Sequence, residues 1–173
     1  MAETDGFDEF FRATWPRLFR TACAVAGDAA SAEDALQQAY ARAYASWRRV
    51  SAAEHPEAYV RRIVVNEILG TRRRAWWRRE RPTDLSGETG PATAVVSPEA
   101  AIVERDRLWR AVLELPPRQR AVVVLRYYED LSEEEIAGTL GCSRGTVKSQ
   151  ASAALAKLRQ HAGLTLDSNG ERA

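Results

Sequence analysis

The segment from residue 131 to residue 160 constrains the fold most, because it carries start and stop signals for two helices in close succession. Ser132 with Glu135 three residues later is a capping-box pattern, and Gly141 tolerates the left-handed conformation that ends many helices. Ser143 can cap a second helix. The expected inward positions recur at helical spacing and are Ile136, Ala137, Leu140, Val147, Ala151, Leu155 and Leu158. Two short helices joined by a tight turn predict a helix-turn-helix, whose second helix suits the major groove of DNA.

Charge is distributed unevenly along the 173 residues, although the net charge is only +1. Residues 1–46 carry seven acidic residues against four arginines, whereas residues 47–81 carry ten arginines against four glutamates, a net charge of +6. A basic block in a nearly neutral chain indicates contact with a local polyanion. A solvated helix face is the alternative interpretation of the same block.

Three amphipathic helical patterns precede the helix-turn-helix. The first covers about residues 7–26, and Pro16 inside it is expected to kink or divide the helix. Ser31 is expected to cap the second helix, and Pro56 stands at the first position of the third. These patterns predict one small helical bundle over residues 1–81.

Residues 82–98 lose helical periodicity and are rich in Pro, Gly, Ser and Thr, which is typical of a linker. Ser97 with Pro98 is expected to cap the next helix, and the pair at 116–117 is expected to start another. The sequence therefore predicts a second helical domain over residues 99–162 and a disordered polar tail over residues 163–173. The predicted fold class is all-α, with two small helical domains joined by a flexible linker.

Aromatic residues interrupt the basic block in a pattern that favours single-stranded nucleic acid. Trp76 and Trp77 lie among arginines that include Arg72 and Arg73. Aromatic faces can stack on unpaired bases while arginines contact phosphates. Asn66, earlier in the same helical pattern, offers a donor and an acceptor to a base edge. Packing in the core is an alternative for the tryptophans, although Trp76 and Trp77 are adjacent and cannot both face fully inward on a helix.

The sequence offers no catalytic or metal-binding constellation. The only histidines, His55 and His161, do not stand at a recognisable nucleophile motif, and Cys23 and Cys142 lie far apart. We therefore predict a protein that is not an enzyme and needs no cofactor or metal. The N-terminus has no secretory pattern, and no apolar run reaches the roughly 20 residues of a membrane span, so we expect a cytoplasmic location.

Several motifs occur in a fixed order along the chain. They are Trp15-Pro-Arg-Leu-Phe-Arg-Thr-Ala, Gly27-Asp28, Ala32-Glu33-Asp34-Ala-Leu-Gln-Gln38, Pro56-Glu-Ala-Tyr-Val-Arg-Arg-Ile-Val-Val-Asn66, Leu115-Pro-Pro-Arg-Gln-Arg and Gly145-Thr-Val-Lys-Ser149. Taken together, the motifs resemble the extracytoplasmic-function (group 4) σ factors of bacterial RNA polymerase. The resemblance covers nearly everything except the linker and the tail.

The resemblance implies a promoter-specificity subunit whose partners are core RNA polymerase, through its β′ clamp helices and β flap, and promoter DNA. Residues 1–81 resemble the σ2 domain, which melts and reads the −10 element as a single strand, and residues 99–162 resemble σ4, which reads duplex −35 DNA. The residues implied to bind core polymerase are Asp34, Gln37, Gln38 and Arg42. Those implied for −10 DNA are Arg61, Arg62, Asn66, Arg72, Arg73, Trp76 and Trp77. Those implied for −35 DNA are Arg118, Arg120, Arg144, Thr146, Lys148, Ser149, Gln150 and Ser152.

The alternative function is a free-standing helix-turn-helix regulator that binds DNA as a homodimer, although no unassigned apolar seam for dimerisation is visible. Family members are commonly held inactive by an anti-σ factor, so the resemblance adds a separate anti-σ protein as a conceivable partner. The sequence leaves the relative placement of the two domains open. Attraction between the basic bundle and the acidic linker would favour a closed arrangement, and salt would screen that attraction strongly.

Two positions in the expected recognition helix depart from the family pattern. Many relatives carry basic residues where this chain has Gln150 and Ala153. Because a good base contact contributes about 1–3 kcal/mol of discrimination, we expect an unusual −35 preference or a greater dependence on −10 contacts. Holoenzyme with Ala153→Arg should change its ranking of a panel of −35 variants in a transcription assay. An unchanged ranking would contradict this expectation.

Overall fold

The computed structural model of the protein describes residues 2–79 and 99–161, with side chains over residues 6–71 and 107–160. The described elements are α1 (Ala2–Ala26), α2 (Ala29–Ala45), α3 (Trp47–Ser51), α4 (Pro56–Arg79), α5 (Glu99–Glu114), α6 (Pro117–Val123), a π-helical turn (Val124–Tyr128), α7 (Glu133–Leu140) and α8 (Arg144–His161). The all-α prediction is confirmed over these residues. We call residues 2–79 the first unit and residues 99–161 the second unit. The predicted linker, the tail and the Ser97–Pro98 cap lie outside the described residues.

The start of α2 differs from the prediction. Helix α1 continues through Pro16, so of the two expected effects of this proline the division of the helix does not occur. Asp28 caps α2, because its Oδ1 accepts a hydrogen bond of 2.7 Å from the backbone N–H of Ser31. The prediction that Ser31 caps α2 was wrong, since Asp28 stands earlier and satisfies a first-turn donor. Gly27, with φ at 83°, supplies the left-handed residue between the two helices.

Small residues on α2 allow the helices of the first unit to pack closely. The buried positions of α2 are Ala32, Ala35, Leu36, Ala39, Tyr40 and Ala43. Aromatic rings from α1 close one end of the bundle, where the ring of Phe11 lies 4.8 Å from that of Tyr40. The short helix α3, which the sequence did not predict, carries Trp47 against Phe7 and Phe10 at centroid distances of 5.2 and 5.1 Å. The structure therefore favours a packing role for Trp47.

The helix-turn-helix forms as predicted. Ser132 and Glu135 make both hydrogen bonds of a capping box, and Gly141 ends α7 with φ at 62°. The Ser132 hydroxyl and, to a smaller extent, the Ser132 backbone N–H donate to the Glu135 carboxyl and lower its pKa. Ser143 Oγ accepts a hydrogen bond of 3.1 Å from the backbone N–H of Thr146. Of the expected inward residues, only Leu155 is half-buried rather than buried. A second apolar cluster joins α5 to α8 and consists of Ala111, Val112, Leu115, Val123, Ala154 and Leu158.

The two units pack against each other. Helix α7 lies on α4, and α6 and the π-helical turn lie on α1. One apolar cluster spans the contact and includes Val64 and Ile68 of α4 together with Leu125 and Ile136 of the second unit. The sequence left this placement open. The contact is built from buried helix faces, so it differs from the electrostatic attraction to the linker that the sequence suggested.

A buried hydrogen-bond chain crosses the first unit beneath the aromatic rings. Thr14 Oγ1 donates to the carbonyl of Phe10 at 2.7 Å, so the hydroxyl of Tyr40, 2.7 Å from the same oxygen, is the donor to Thr14. Burial, the largest cause, raises the pKa of Tyr40 from its ordinary value of 10.0 to about 12.

We predict that Tyr40 contributes to the alkaline limit of stability. Because its folded pKa lies above the unfolded value, its contribution is complete below about pH 10 and is lost as the pH rises from 10 to about 12. Each pKa unit corresponds to about 1.4 kcal/mol. Urea unfolding over this pH range should give a steeper loss of stability for the wild type than for Tyr40→Phe. Parallel curves would contradict the assignment.

Candidate nucleic-acid interface

The residues implied for polymerase contact share the exposed face of α2, opposite its alanine-rich buried face. They are Asp34, Gln37, Gln38 and Arg42. Gln37 Nε2 donates to Glu33 Oε1 at 3.3 Å, and Arg42 forms an ion pair of 3.3 Å with Glu67 of α4. This face is therefore polar, of mixed charge and tied to the neighbouring helix.

Arg62 and Asn66 lie one turn apart on the exposed side of α4. An open cavity of about 280 Å³ lies beside them and is lined by Arg42, Tyr59, Arg62, Ile63, Asn66 and Glu67. The structure thus brings Arg42 of the implied polymerase face next to two residues implied for −10 DNA. Four further −10 candidates, Arg72, Arg73, Trp76 and Trp77, fall within the span of α4, but their side chains lie outside the described residues.

The amide of Asn66 is already engaged within the protein. Its Nδ2 donates at 2.8 Å to the carbonyl of Arg62 and at 2.8 Å to the carbonyl of Thr139. An amide nitrogen carries two protons, so both are used. Thr139 belongs to the last turn of α7, where carbonyls lack partners within the helix. Asn66 of the first unit therefore caps the first helix of the helix-turn-helix.

The N-terminal half of α8 presents a basic and polar face to solvent. Among the −35 candidates on α8, the exposed residues are Arg144, Lys148, Ser149 and Ser152, and the half-buried ones are Thr146 and Gln150. Arg144 and Lys148 are four residues apart and therefore share one side of the helix. The neighbouring Val147, with 0% of its surface exposed, lies on the buried side of the helix.

Glu133 moderates the charge beside this face. Its Oε1 lies 2.9 Å from Arg126 Nη1, and its Oε2 lies 3.7 Å from Lys148 Nζ. The hydrogen bond from Arg126, assisted by the charge of Lys148, lowers the pKa of the Glu133 carboxyl. The carboxylate therefore stays ionised at neutral pH and neutralises part of the basic face.

The two arginines of α6 have different positions. Arg118 is exposed, whereas Arg120 is only 3% exposed. Nη1 of Arg120 donates to the carbonyl of Leu113 at 2.9 Å and lies against Gly27, where a Cβ would approach that nitrogen to 2.9 Å. Its guanidinium lies between Gly27 of the α1–α2 connection and Leu113 of α5. Arg120 is therefore buried in this arrangement, and its contact with a DNA phosphate stays a prediction.

Sequence reasoning missed a charged cluster buried between the units. Glu129, whose side chain is 1% exposed, lies 2.9 Å from Arg17 Nη2 and 3.8 Å from Arg61 Nη1, and it accepts a hydrogen bond from Thr21. Arg61, implied for −10 DNA, is therefore buried against a carboxylate instead of facing solvent. No local signal identifies this cluster, because Thr21 and Arg17 lie 108 and 112 residues from Glu129 in sequence.

Across residues 2–79 and 99–161, no helix has the length and apolar character that a membrane crossing requires.

A helical bundle with a polar strip on α4, packed against a helix-turn-helix with a basic face, defines a protein with two candidate nucleic-acid surfaces. Comparisons with known proteins narrow this class. The family model "Sigma-70 region 2" matches residues 10–78, and "Sigma-70, region 4" matches residues 105–158.

Curated relatives match over most of their own length. The chain is 36% identical over 160 residues to RNA polymerase sigma-E factor of Streptomyces coelicolor, covering 92% of this chain and 88% of that protein. It is 38% identical to the sigma-E factor of Streptomyces antibioticus, covering 89% and 83%. It is 33% identical to the ECF RNA polymerase sigma factor SigL of Mycobacterium tuberculosis, covering 82% and 80%. The chain therefore belongs to the extracytoplasmic-function group of the σ70 family.

A solved structure supports the fold assignment. The chain matches the sigma factor RpoE of Bartonella quintana, crystallised in complex with the anti-sigma factor NepR, with a TM-score of 0.74 and 21% identity. The match covers 92% of this chain and 98% of RpoE, so it extends over both units.

Membership of the family makes this chain a promoter-specificity subunit of RNA polymerase. Such subunits are transcription initiation factors and not enzymes. The comparisons thus favour the σ-factor interpretation over the free-standing dimeric regulator that the sequence left as an alternative.

The position of Glu133 yields a prediction about charge beside α8. Glu133→Gln should remove the anion nearest Lys148 and strengthen sequence-independent binding of duplex DNA, steepening the dependence of log K on log salt by up to about 1. Glu134→Gln removes the same charge from an exposed position on the same helix and serves as the control. Fluorescence anisotropy of a labelled duplex across a salt series measures both. Equal slopes for the two variants would exclude the proposed screening.

Proposed function

We propose that this σ factor directs core RNA polymerase to promoters by reading −35 duplex DNA with α8 and −10 single-stranded DNA with α4. The observation that carries the proposal is the division of α8 into a buried side at Val147 and an exposed side at Arg144 and Lys148. A helix held to its own domain on one side and basic on the other fits the major groove. Arg118, exposed on α6, is a further candidate for a phosphate contact.

The −10 assignment is supported by the polar strip of α4. Arg62 can contact a phosphate, and Asn66 can bond a base edge once its amide is released. The cavity beside them offers space for an unstacked group. The helix continues to Arg79. At a rise of 1.5 Å per residue, the backbone of Trp76 lies about 15 Å from that of Asn66 along the helix axis, beyond Arg72 and Arg73. A single strand that follows α4 would meet these residues in succession.

The proposed core-binding surface is the exposed face of α2, with Asp34, Gln37, Gln38 and Arg42 toward the β′ clamp helices. Its polar side chains suit a contact with a charged partner helix. The proposed contact of the second unit with the β flap rests on family membership alone. An anti-σ factor is included among the proposed partners because RpoE, which shares this fold, was crystallised with one.

Run-off transcription with purified core RNA polymerase on a library of promoter fragments tests the proposal. We predict specific transcripts that depend on this protein, and a loss of about tenfold with Arg144→Ala or Lys148→Ala at promoters that have a −35 element. Arg159→Ala removes the same charge from an exposed position near the end of α8 and should leave transcription unchanged.

Two outcomes would overturn the proposal. Equal loss in all three variants would show that α8 contributes only general charge. Absence of core association and of transcripts, together with a salt-sensitive shift of duplex DNA by the protein alone, would favour the free-standing regulator instead.

A separate variant, Asp34→Arg, should weaken co-purification with core polymerase if the α2 face is the binding surface.

A further inference from the structure

Glu129 belongs to the second unit, but the charged and polar side chains that bind it all belong to the first. Arg17 and Thr21 come from α1, and Arg61 comes from α4. The carboxylate is 1% exposed, so it has exchanged its water shell for these three groups. An ionised carboxylate is buried at low cost only where it is paired and hydrogen-bonded. The cluster therefore depends on the two units being in contact.

The backbone around Glu129 is shaped to deliver its side chain to the first unit. The N–H of Glu129 bonds to the carbonyl of Val124, five residues earlier, at 3.1 Å, which closes the π-helical turn. The next residue, Asp130, has φ at 55° and is the described non-glycine residue in the left-handed region. Such turns and left-handed residues are unfavourable in isolation and persist where surrounding contacts support them. Here the supporting contacts are those of Glu129.

The same closure engages the donor protons of Asn66, the residue proposed to read single-stranded DNA. Both amide protons of Asn66 are donated, one of them to Thr139 of α7. Arg61 lies against Glu129 and is buried. The Asn66 proton that is bonded to Thr139 can be donated to a DNA strand only after α7 moves away from α4. Likewise, a DNA strand can contact Arg61 only after Glu129 moves away.

We infer that Glu129 is an intramolecular latch, which holds the helix-turn-helix unit on α4 and so keeps the inner edge of the proposed −10 surface, Arg61 and the amide protons of Asn66, from single-stranded DNA in the free protein. The occupant of that surface is this chain's own second unit, and opening requires a partner that binds the separated units more tightly. The part of this inference that concerns DNA rests on the proposed function, whereas the part that concerns closure does not.

The contact between Arg17 and Glu129 can be broken without leaving Arg17 unpaired. Arg17 is half-exposed and is shared between Glu129 at 2.9 Å and Glu57 at 3.5 Å, so it retains a partner when the units separate. A buried ion pair is offset by its desolvation cost, and its main effect is to fix one arrangement. Breaking the pair on one side leaves an uncompensated buried charge and strongly disfavours closure.

Small-angle X-ray scattering of the full chain tests closure without reference to DNA. A compact chain of 173 residues has a radius of gyration of roughly 16 Å, and separation of two linked units raises this value. We expect a rise with Glu129→Gln and with Arg17→Glu, which break the latch from opposite sides. Glu134→Gln is the matched control and should scatter like the wild type. Circular dichroism checks that helix content is retained in each variant.

Binding of single-stranded DNA tests the consequence. The probe is a fluorescein-labelled random-sequence pool of about 12 nucleotides, a length within the range that single-strand sites cover. If the closed form accounts for about nine molecules in ten, opening raises the apparent affinity by up to about tenfold. We expect this gain in both latch variants and not in the control.

The outcomes separate the latch from the proposed function. Unchanged scattering in both latch variants, with helix content retained, would overturn the inference. Expansion without any gain in DNA affinity would overturn the occlusion of the −10 surface. In that case, run-off transcription with wild-type holoenzyme shows whether −10 reading itself fails. Expansion together with higher affinity would establish both parts.

Discussion

Helix α4 is buried on two sides, and the positions of the helices around it follow from this burial. Val64 and Val65 are adjacent, so they point about 100° apart around the helix axis, yet they are 2% and 0% exposed. One side packs against α1 and α2, and another packs against α6 and α7. Over residues 56–71, where the side chains of α4 are described, a narrow strip that includes Arg62 and Asn66 remains for other contacts, and it borders α7. The position of the second unit therefore decides how much of that strip is available.

Sequence reasoning succeeded where the signal acts within a few residues. The Ser132–Glu135 capping box, the left-handed Gly141 and the helix start at Pro56 all depend on local hydrogen bonds or fixed dihedral angles. It failed where two local signals competed, since Asp28 and Ser31 are both suitable caps and only the observed backbone selects Asp28. Short α3 carries too few residues for a periodic pattern to stand out.

The candidate site could be predicted in part, because helical periodicity shows which side of a helix is exposed. Exposed polar faces on α2 and α8 follow from helical periodicity, because each helix has one buried side. Periodicity cannot place Arg61 and Arg120, which lie on helices that are also covered by the other unit. Arginine has a long apolar stem and can be buried when its head group finds a partner, as Nη1 of Arg120 does in the carbonyl of Leu113. Residue type therefore suggested solvent-facing arginines, whereas the tertiary arrangement buries both of them.

Closure of the two units affects sequence specificity in a different way from any single contact with DNA. A closed fraction divides the affinity of α4 for every single-stranded sequence by the same factor, because it limits the binding-competent population and not the contacts. Preference among single strands is thereby unchanged, while the exposed face of α8 stays available to duplex DNA. Association with core polymerase can supply the opening free energy once and then hold both units at high effective concentration on one promoter. The buried Glu129 cluster connects these effects, since it favours the arrangement in which Asn66 is engaged by α7.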